Sequence, residues 1–297
     1  ADIHIRLLKR HKEYKKVFKR LYEKMCNEPK GIIIICGDIL HSKNTLSPEA
    51  IDMTNNFLSS LADIMPVCFM AGNHDADLSN SDRLDALSAI MNGIENENLH
   101  YLYDSGFYRY NNIIFGVSSV FDNNKILKYE DLDQKYKIDD YVSIALWHGT
   151  INGSKTDLGF KFESENVNCK SFSGYDYALL GDIHKFQYVN KAKTIAYCGS
   201  LVQQNRGESL KKHGYLKWNI KDKTSSHVEV ENDKGYCTIK LEDNDITSYP
   251  ESIPKKPVLT IIYKNTSDDT ISKLLSKIRK KHLIQYVHYK KLDETLH

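Results

Sequence analysis

Five short clusters of Asp, His, Asn and Gly punctuate this chain, and four of them stand directly behind an apolar run. Gly37-Asp38 follows the Ile-rich run that ends at Cys36. Gly72-Asn73-His74-Asp75 follows 67–71, His148-Gly149 follows 144–147, and Gly181-Asp182-x-His184 follows 177–180. Short aliphatic runs of this kind read as buried strands. In open α/β sheets, sites are built just past the carboxyl ends of strands. Glycine at those points lets the backbone turn sharply and approach a ligand. The pattern therefore demands a fold that gathers distant strand ends along one edge. The fifth cluster, Asp2-x-His4, opens the chain with no strand before it and no initiator Met. A fragment of a longer protein is expected.

Helices are expected between the clusters. Leu8, Tyr14, Val17, Leu21 and Met25 recur at helical spacing over 7–25, interleaved with Lys and Arg. This predicts an amphipathic helix with a basic outer face, which either tracks phosphates or is simply solvated. Ser47-Pro48-Glu49 predicts a helix start, with Ser as N-cap, Pro in the first turn and Glu favoured by the dipole, running to about residue 64. Residues 82–91 also read as helical. Strands are expected over 31–36, 67–71, 98–103, 107–110, 113–118, 142–147, 177–180, 194–198 and 215–220. Hairpins are expected at Asn111-Asn112 and over 227–241, the second centred on 233–235. Strands that first alternate with helices and later pair with one another indicate an α/β fold with a mixed sheet or two sheets. The polar stretch 242–257, with Pro250 and Pro254, predicts a boundary. A strand (258–263), a helix (268–281) and a strand (284–289) then begin a small second α/β unit. Domains are expected at 1–242 and 243–297.

Charge and hydropathy narrow the function. Lys plus Arg total 41 and Asp plus Glu 39, a net charge of +2. That balance excludes a strongly basic DNA-coating protein but leaves room for a local basic groove. The longest apolar run, 32–36, is far short of the ~18 residues of a membrane span. No membrane partner and no secretion signal are expected. Six scattered cysteines without a CxxC pair read as reduced thiols of an intracellular protein.

The donors in the clusters are carboxylate, amide and imidazole, with no thiolate among them. Such a set suits Mn, Fe or Zn, and its carboxylates bias it toward Mn or Mg. Seven or eight donors exceed the needs of one ion and fit two, ~3.5–4 Å apart, sharing a bridging carboxylate. A lone Asp after a strand more often caps a helix, and a lone buried His is more often a satisfied core residue. The joint occurrence carries the inference.

The series D-x-H, GD, GNHD, H and G-x-x-H, in that order, resembles the calcineurin-like metallophosphoesterases. GDILH with His41 three residues after Asp38, the Ser47-Pro48-Glu49 helix start, GDIHK followed by Tyr197-Cys198-Gly199-Ser200-Leu201, and His213-Gly214-Tyr215 are similar to one branch. That branch is the SbcD-type DNA double-strand-break repair nucleases, which include the meiotic-recombination nuclease subunits and versions from phages and large DNA viruses. The resemblance covers residues 1–241. It implies a four-layer fold, a two-sheet β-sandwich flanked by helices, with the start of a capping, DNA-binding domain. It implies that Asp2, His4 and His184 hold one metal, that Asp38 bridges, and that Asn73, His148 and Asp182 hold the second, with Mn2+ as the expected ion. His74 would then act at the scissile phosphate, oriented by Asp75. His41 would touch the phosphate or position the DNA end, unless it is a surface residue near the helix. Asp182 stands where the family commonly has His, so it is either a ligand or an outer partner of one.

The implied activity is manganese-dependent DNA hydrolysis, as exonuclease on duplex ends and endonuclease on single strands. The implied partners are DNA, an SbcC-like ATPase subunit and a second copy, packed through helices such as 48–64 and 81–91. Lys43, Arg83, Lys185 and Arg206 are candidates for DNA-backbone contacts. A phosphatase or cyclic-nucleotide phosphodiesterase of the same superfamily, and a catalytically inactive scaffold, are the competing readings.

Overall fold

The computed structural model describes residues 1–292 other than 81, 124, 138–139 and 164–166. It divides into two compact units, Ala1–Val202 with Lys212–Val230, and Gln203–Lys211 with Glu231–His297.

In the first unit a short 3-10 turn, Leu8–Arg10, leads into α1 (His11–Cys26). The helix buries Tyr14, Val17, Phe18, Leu21 and Met25, the stripe that the apolar spacing predicts, and leaves Lys12, Lys15, Lys16 and Lys19 exposed. Strand β1 (Ile33–Cys36) follows. Helix α2 (Pro48–Ala62) starts where expected: Ser47 Oγ accepts from Ala50 N at 3.2 Å, and Pro48 has no N–H to leave unpaired. After β2 (Val67–Met70) comes α3 (Ala86–Met91), shorter than the helix expected over 82–91. Asp85 accepts from Ser88 N at 2.9 Å and caps the helix, so residues 82–84 stay outside it. Ser81, expected at the start of that helix, lies outside the described residues.

Strand β3 (Leu99–Tyr101) completes a parallel three-stranded sheet in the order β1-β2-β3. A second, six-stranded sheet contains β4 (Gly106–Tyr110), β5 (Ile113–Ser118), β6 (Val142–His148), β7 (Tyr177–Gly181), β8 (Gln187–Tyr188) and β9 (Ile195–Tyr197). Its order is β4-β5-β6-β7-β9-β8, parallel from β5 to β9 and antiparallel at both edges. Asn111 takes φ 51° in the β4–β5 turn, as its hairpin assignment requires. Strands β10 (Gly214–Asn219) and β11 (Thr224–Glu229) form a separate antiparallel pair.

The layers follow from where apolar side chains meet. One core joins α1, α2 and α3 to the three-stranded sheet. A second lies between the two sheets, where Cys36, Cys68 and Met70 meet Phe115, Val117 and Leu146. A third covers the other face of the six-stranded sheet around Trp147, Phe172 and Tyr197. Strand β5 is buried along its whole length, as a strand covered on both faces must be. An apolar cavity of about 450 Å³ opens between β1 and β10, with Ile34, Phe115, Leu179 and Trp218 among its walls.

The second unit holds β12 (Lys234–Glu242), β13 (Asp245–Ser248), β14 (Lys256–Lys264), α4 (Asp268–Arg279) and β15 (Tyr286–Lys291). The strand order is β13-β12-β14-β15, with β12, β14 and β15 parallel. Helix α4 is capped by Ser267 and packs Ile271, Leu274, Leu275 and Ile278 on Ile239, Leu241, Leu259 and Ile261. Two expectations are corrected here. The hairpin expected over 227–241 does not form: β11 pairs with β10, and β12 pairs with β13 and β14. The tight turn is Asp243-Asn244, with φ 52° and 70°, so the polar stretch read as a boundary lies inside the second unit. Among the described residues no helix is long and apolar enough to cross a membrane. All six cysteines are free.

Candidate metal centre

The backbone brings four of the clusters to the carboxyl ends of β1, β2, β6 and β7, and the fifth is threaded beside them. Ile3 N and His4 N both donate to Asp38 O at 2.9 Å, and Asp2 N donates to Gly199 O at 3.0 Å. Three non-glycine residues hold positive φ here: His4 (52°), Asp38 (54°) and Asp182 (96°). Each such residue costs about 1–3 kcal/mol, and such strain gathers where side-chain placement outranks stability. Gly72 permits a close approach, because a Cβ there would sit 2.2 Å from Asp38 Oδ1 and 2.7 Å from His148 Cε1.

Asp38 sits at the middle. Its Oδ2 lies 3.4 Å from His4 Nε2 and its Oδ1 lies 3.4 Å from His148 Nε2. On the Oδ2 side, His4 Nε2 and His184 Nε2 are 2.8 Å apart; Asp2 is buried too, with a carboxylate oxygen within 4.8 Å of the ligand atoms of Asp38 and His148. On the Oδ1 side, His148 Nε2 is 3.0 Å from Asn73 Oδ1 and 4.0 Å from Asp182 Oδ1. One oxygen of one carboxylate thus faces each of two donor sets. Asp182 is held by Thr150, whose hydroxyl donates to Oδ2 at 2.6 Å, and its backbone N donates to Asp2 Oδ1 at 3.2 Å.

The donors fit a divalent cation. Asp2 Oδ2 and His4 Nδ1 are buried with no hydrogen-bond partner. A buried carboxylate oxygen without a donor is costly, and converging imidazole nitrogens call for a charge between them. His148 Nδ1–H donates to Cys36 O at 2.7 Å, so its Nε2 carries the lone pair that faces the site. Ligand atoms of Asp2, Asp38 and His148 lie within 4.8 Å of one another, as do those of His4, His41 and His74.

Protonation follows from burial. Burial pushes Asp38 up to about 6 against the pull of His148. Burial, then Asp38, push Asp75 up to about 7. Burial and the neighbouring imidazoles lower His4, leaving it neutral and ready to ligate. Burial opposes charge on His148, but Asp38, Asp2 and Asp182 outweigh it and its pKa is raised. Cation binding must therefore expel protons at low pH. With Asp38 near 6, manganese affinity measured by calorimetry is expected to be about tenfold weaker at pH 5 than at pH 7.5. Affinity that does not change between those pH values would show that Asp38 takes no part.

His74 and His41 border the centre on one side. His74 N donates to Asp38 Oδ1 at 3.0 Å, and His74 Nδ1 donates to the His41 carbonyl at 2.8 Å. The two rings stack with centroids 5.5 Å apart. The expected pairing of Asp75 with His74 is corrected. The Asp75 carboxylate turns inward and accepts from Leu40 N and Gly72 N at 2.8 Å and from Ile39 N at 3.3 Å. It clamps the loops after β1 and β2, and the carbonyl of His41 orients His74 instead. Burial and Arg6 hold His41 down to about 4, with Arg6 Nη1 donating to His41 Nε2 at 2.8 Å.

Arg6 and Thr150 are site residues that motif reading passes over. Their only sequence signal is position, Arg6 two residues after His4 and Thr150 two after His148. Two of the four basic candidates share one carboxylate. Lys43 and Arg83 flank Asp77 at 3.8 and 3.5 Å, and Lys185 lies 3.9 Å from Asp157. Such exposed pairs are worth about 0–1 kcal/mol, little obstacle to capture by a phosphate. Arg206 belongs to the second unit, near His288.

Residues 1–186 match the calcineurin-like phosphoesterase family. The chain is 45% identical over 97% of its length to an uncharacterized protein of Acanthamoeba polyphaga mimivirus, of which it spans 22%. It is 25% identical, over 94% of its length and 72% of the relative's, to the SbcD component of the nuclease SbcCD from Staphylococcus epidermidis.

Proposed function

The chain belongs to the calcineurin-like phosphoesterase family, whose members are metal-dependent hydrolases, and on that premise we propose that it hydrolyses phosphodiester bonds of DNA with two manganese ions. The observation that carries the reading is Asp38, whose two oxygens each face a separate imidazole at 3.4 Å. Asp2, His4 and His184 would complete one ion's donors, and Asn73, His148 and Asp182 the other's. Oxygen and imidazole donors suit Mn2+. Bound there, divalent cations neutralise the diester and supply an activated water. His74, tethered through Nδ1, keeps Nε2 available to protonate the leaving oxygen.

DNA as substrate is supported by the similarity to a nuclease component over most of that protein's length. We place the protein in duplex-end exonuclease and single-strand endonuclease work in DNA repair, inside the cell, beside an SbcC-like ATPase. Lys43, Arg83 and Lys185 would contact the backbone, and the second unit, with Arg206, would act as the cap. A homodimer would pack through α2 and the stretch leading into α3, where Ile51, Leu78 and Leu84 are exposed at 41, 41 and 68%.

The test compares a DNA hairpin, bis(p-nitrophenyl) phosphate and p-nitrophenyl phosphate, each with and without manganese. Cleavage of the hairpin and the diester, with the monoester untouched, is expected. A hydrolysed monoester or cyclic nucleotide with intact DNA would replace the nuclease by a phosphatase or small phosphodiesterase. No manganese binding by calorimetry would leave a scaffold.

A further inference from the structure

One hydrogen bond at the edge of the metal centre decides where a proton sits. Arg6 Nη1 lies 2.8 Å from His41 Nε2. A guanidinium carries only donors and stays protonated in proteins, so Nε2 must accept. The proton of the neutral ring is therefore on Nδ1. That Nδ1 is buried with no hydrogen-bond partner. The ring stacks on His74 and meets the His4 ring edge-on, both at 5.5 Å. The carbonyl of the same residue accepts from His74 Nδ1. Arg6 thus holds a side chain whose ring and backbone both border the reacting groups.

We infer that Arg6 is a positioning residue for the hydrolytic site, fixing His41 as a neutral imidazole that presents an Nδ1–H donor to a phosphate oxygen of the bound diester. The identity of the acceptor rests on the phosphodiesterase reading; the tautomer does not. A buried N–H without a partner is unfavourable in the free protein and becomes satisfied when an acceptor arrives. The arrangement also removes His41 from metal coordination, although its nitrogens lie close to those of His4 and His74. Its Nε2 lone pair is engaged by Arg6, and Nδ1 has none to offer. His41 is then a fixed donor, and His74 is the residue left to move a proton.

The experiment is 15N–1H correlation spectroscopy of the histidine rings in the full metal-free chain, repeated with zinc. Wild-type His41 is expected to carry its proton on Nδ1 and an unprotonated Nε2. Arg6→Met, which removes the donor, should shift His41 toward the Nε2–H form, and Arg6→Lys should preserve the wild-type form. Zinc should move the ring nitrogens of His4, His148 and His184 and leave those of His41 in place. On bis(p-nitrophenyl) phosphate, Arg6→Met should lower kcat about 10- to 100-fold with KM nearly unchanged, and Arg6→Lys should recover most of it. Wild-type His41 protonated on Nε2, an unaltered tautomer in Arg6→Met, or a zinc-coordination shift on His41 would each overturn the inference. The first and third need no variant to fold. A chain that hydrolyses no diester yet displays the stated tautomers would overturn the phosphodiesterase reading, and with it the phosphate as acceptor, while supporting the Arg6–His41 lock.

Discussion

Replacing His74 with alanine is expected to slow diester hydrolysis by about 10²- to 10⁴-fold, the usual contribution of a positioned general acid, and to leave manganese affinity unchanged. The two outcomes separate because the backbone and the ring of His74 do different work. Its backbone N donates to Asp38 Oδ1, and alanine keeps that bond. Its ring donates through Nδ1 to the carbonyl of His41, which leaves Nε2 for the departing oxygen. The loss should also depend on the leaving group. An alkoxide needs a proton as it departs and a nitrophenolate hardly does, so an alkyl ester of phosphate should suffer more than the nitrophenyl ester. Measurement is of kcat for a series of diesters at saturating manganese, with calorimetry of manganese binding alongside. Turnover equal to the parent across the series would remove His74 from proton transfer. Lost manganese binding would make it a structural support of Asp38.

Much of this arrangement is readable from the order of residues because it depends on local rules. Apolar runs ending in Gly-Asp, Gly-Asn-His-Asp and His-Gly mark strand ends, and strand ends are where an α/β sheet builds a site. Helix α1 follows from its apolar stripe, and α2 from Ser47 and Pro48. What escapes is settled at a distance. Asp233 to Gly235 has the chemistry of a hairpin turn, but the strands on either side find partners elsewhere, one with β10 and the other with β14. Turn residues specify a bend and say nothing about which strands pair across it. Asp243-Asn244 is the converse case: two residues with positive φ close a real hairpin inside a stretch whose polarity suggests a linker. The role of Asp75 is hidden for the same reason. Adjacency to His74 suggests a catalytic pair, whereas its partners at Leu40 and Ile39 lie 35 and 36 residues away. Arg6 reaches His41 across a similar separation, 35 residues. A motif names the residues that meet the substrate; the clamps that aim them become visible only once the chain is folded.

The larger effect belongs to Asp38. Asp38→Asn is expected to reduce diester hydrolysis by about 10³-fold or more, since on the proposed reading divalent cations held at this carboxylate would supply several kcal/mol of transition-state stabilisation. Asparagine is the right probe. It tolerates the positive φ of 54° at this position, and its side-chain oxygen can still accept from His74 N. The substitution therefore removes charge and one of two acceptor oxygens while keeping the loop. Stability should move in opposite directions with and without metal. In the metal-free parent, burial raises the Asp38 pKa from 3.8 to about 6. A carboxyl with a raised folded-state pKa binds more protons folded than unfolded between those values, so it costs stability as pH climbs from about 4 to 6. That cost, on the order of 2–3 kcal/mol by pH 7, is absent from Asp38→Asn. The variant should thus be more stable than the parent in chelator at pH 7, with the difference fading toward pH 4. Added manganese should reverse the order, because a ligand stabilises only the form that binds it. Urea unfolding at pH 4 and pH 7, with chelator and with manganese, checks all of these. If manganese stabilised Asp38→Asn as strongly as the parent, Asp38 would not join the two donor sets, and the centre would have to be rebuilt around Asp2 and Asp182.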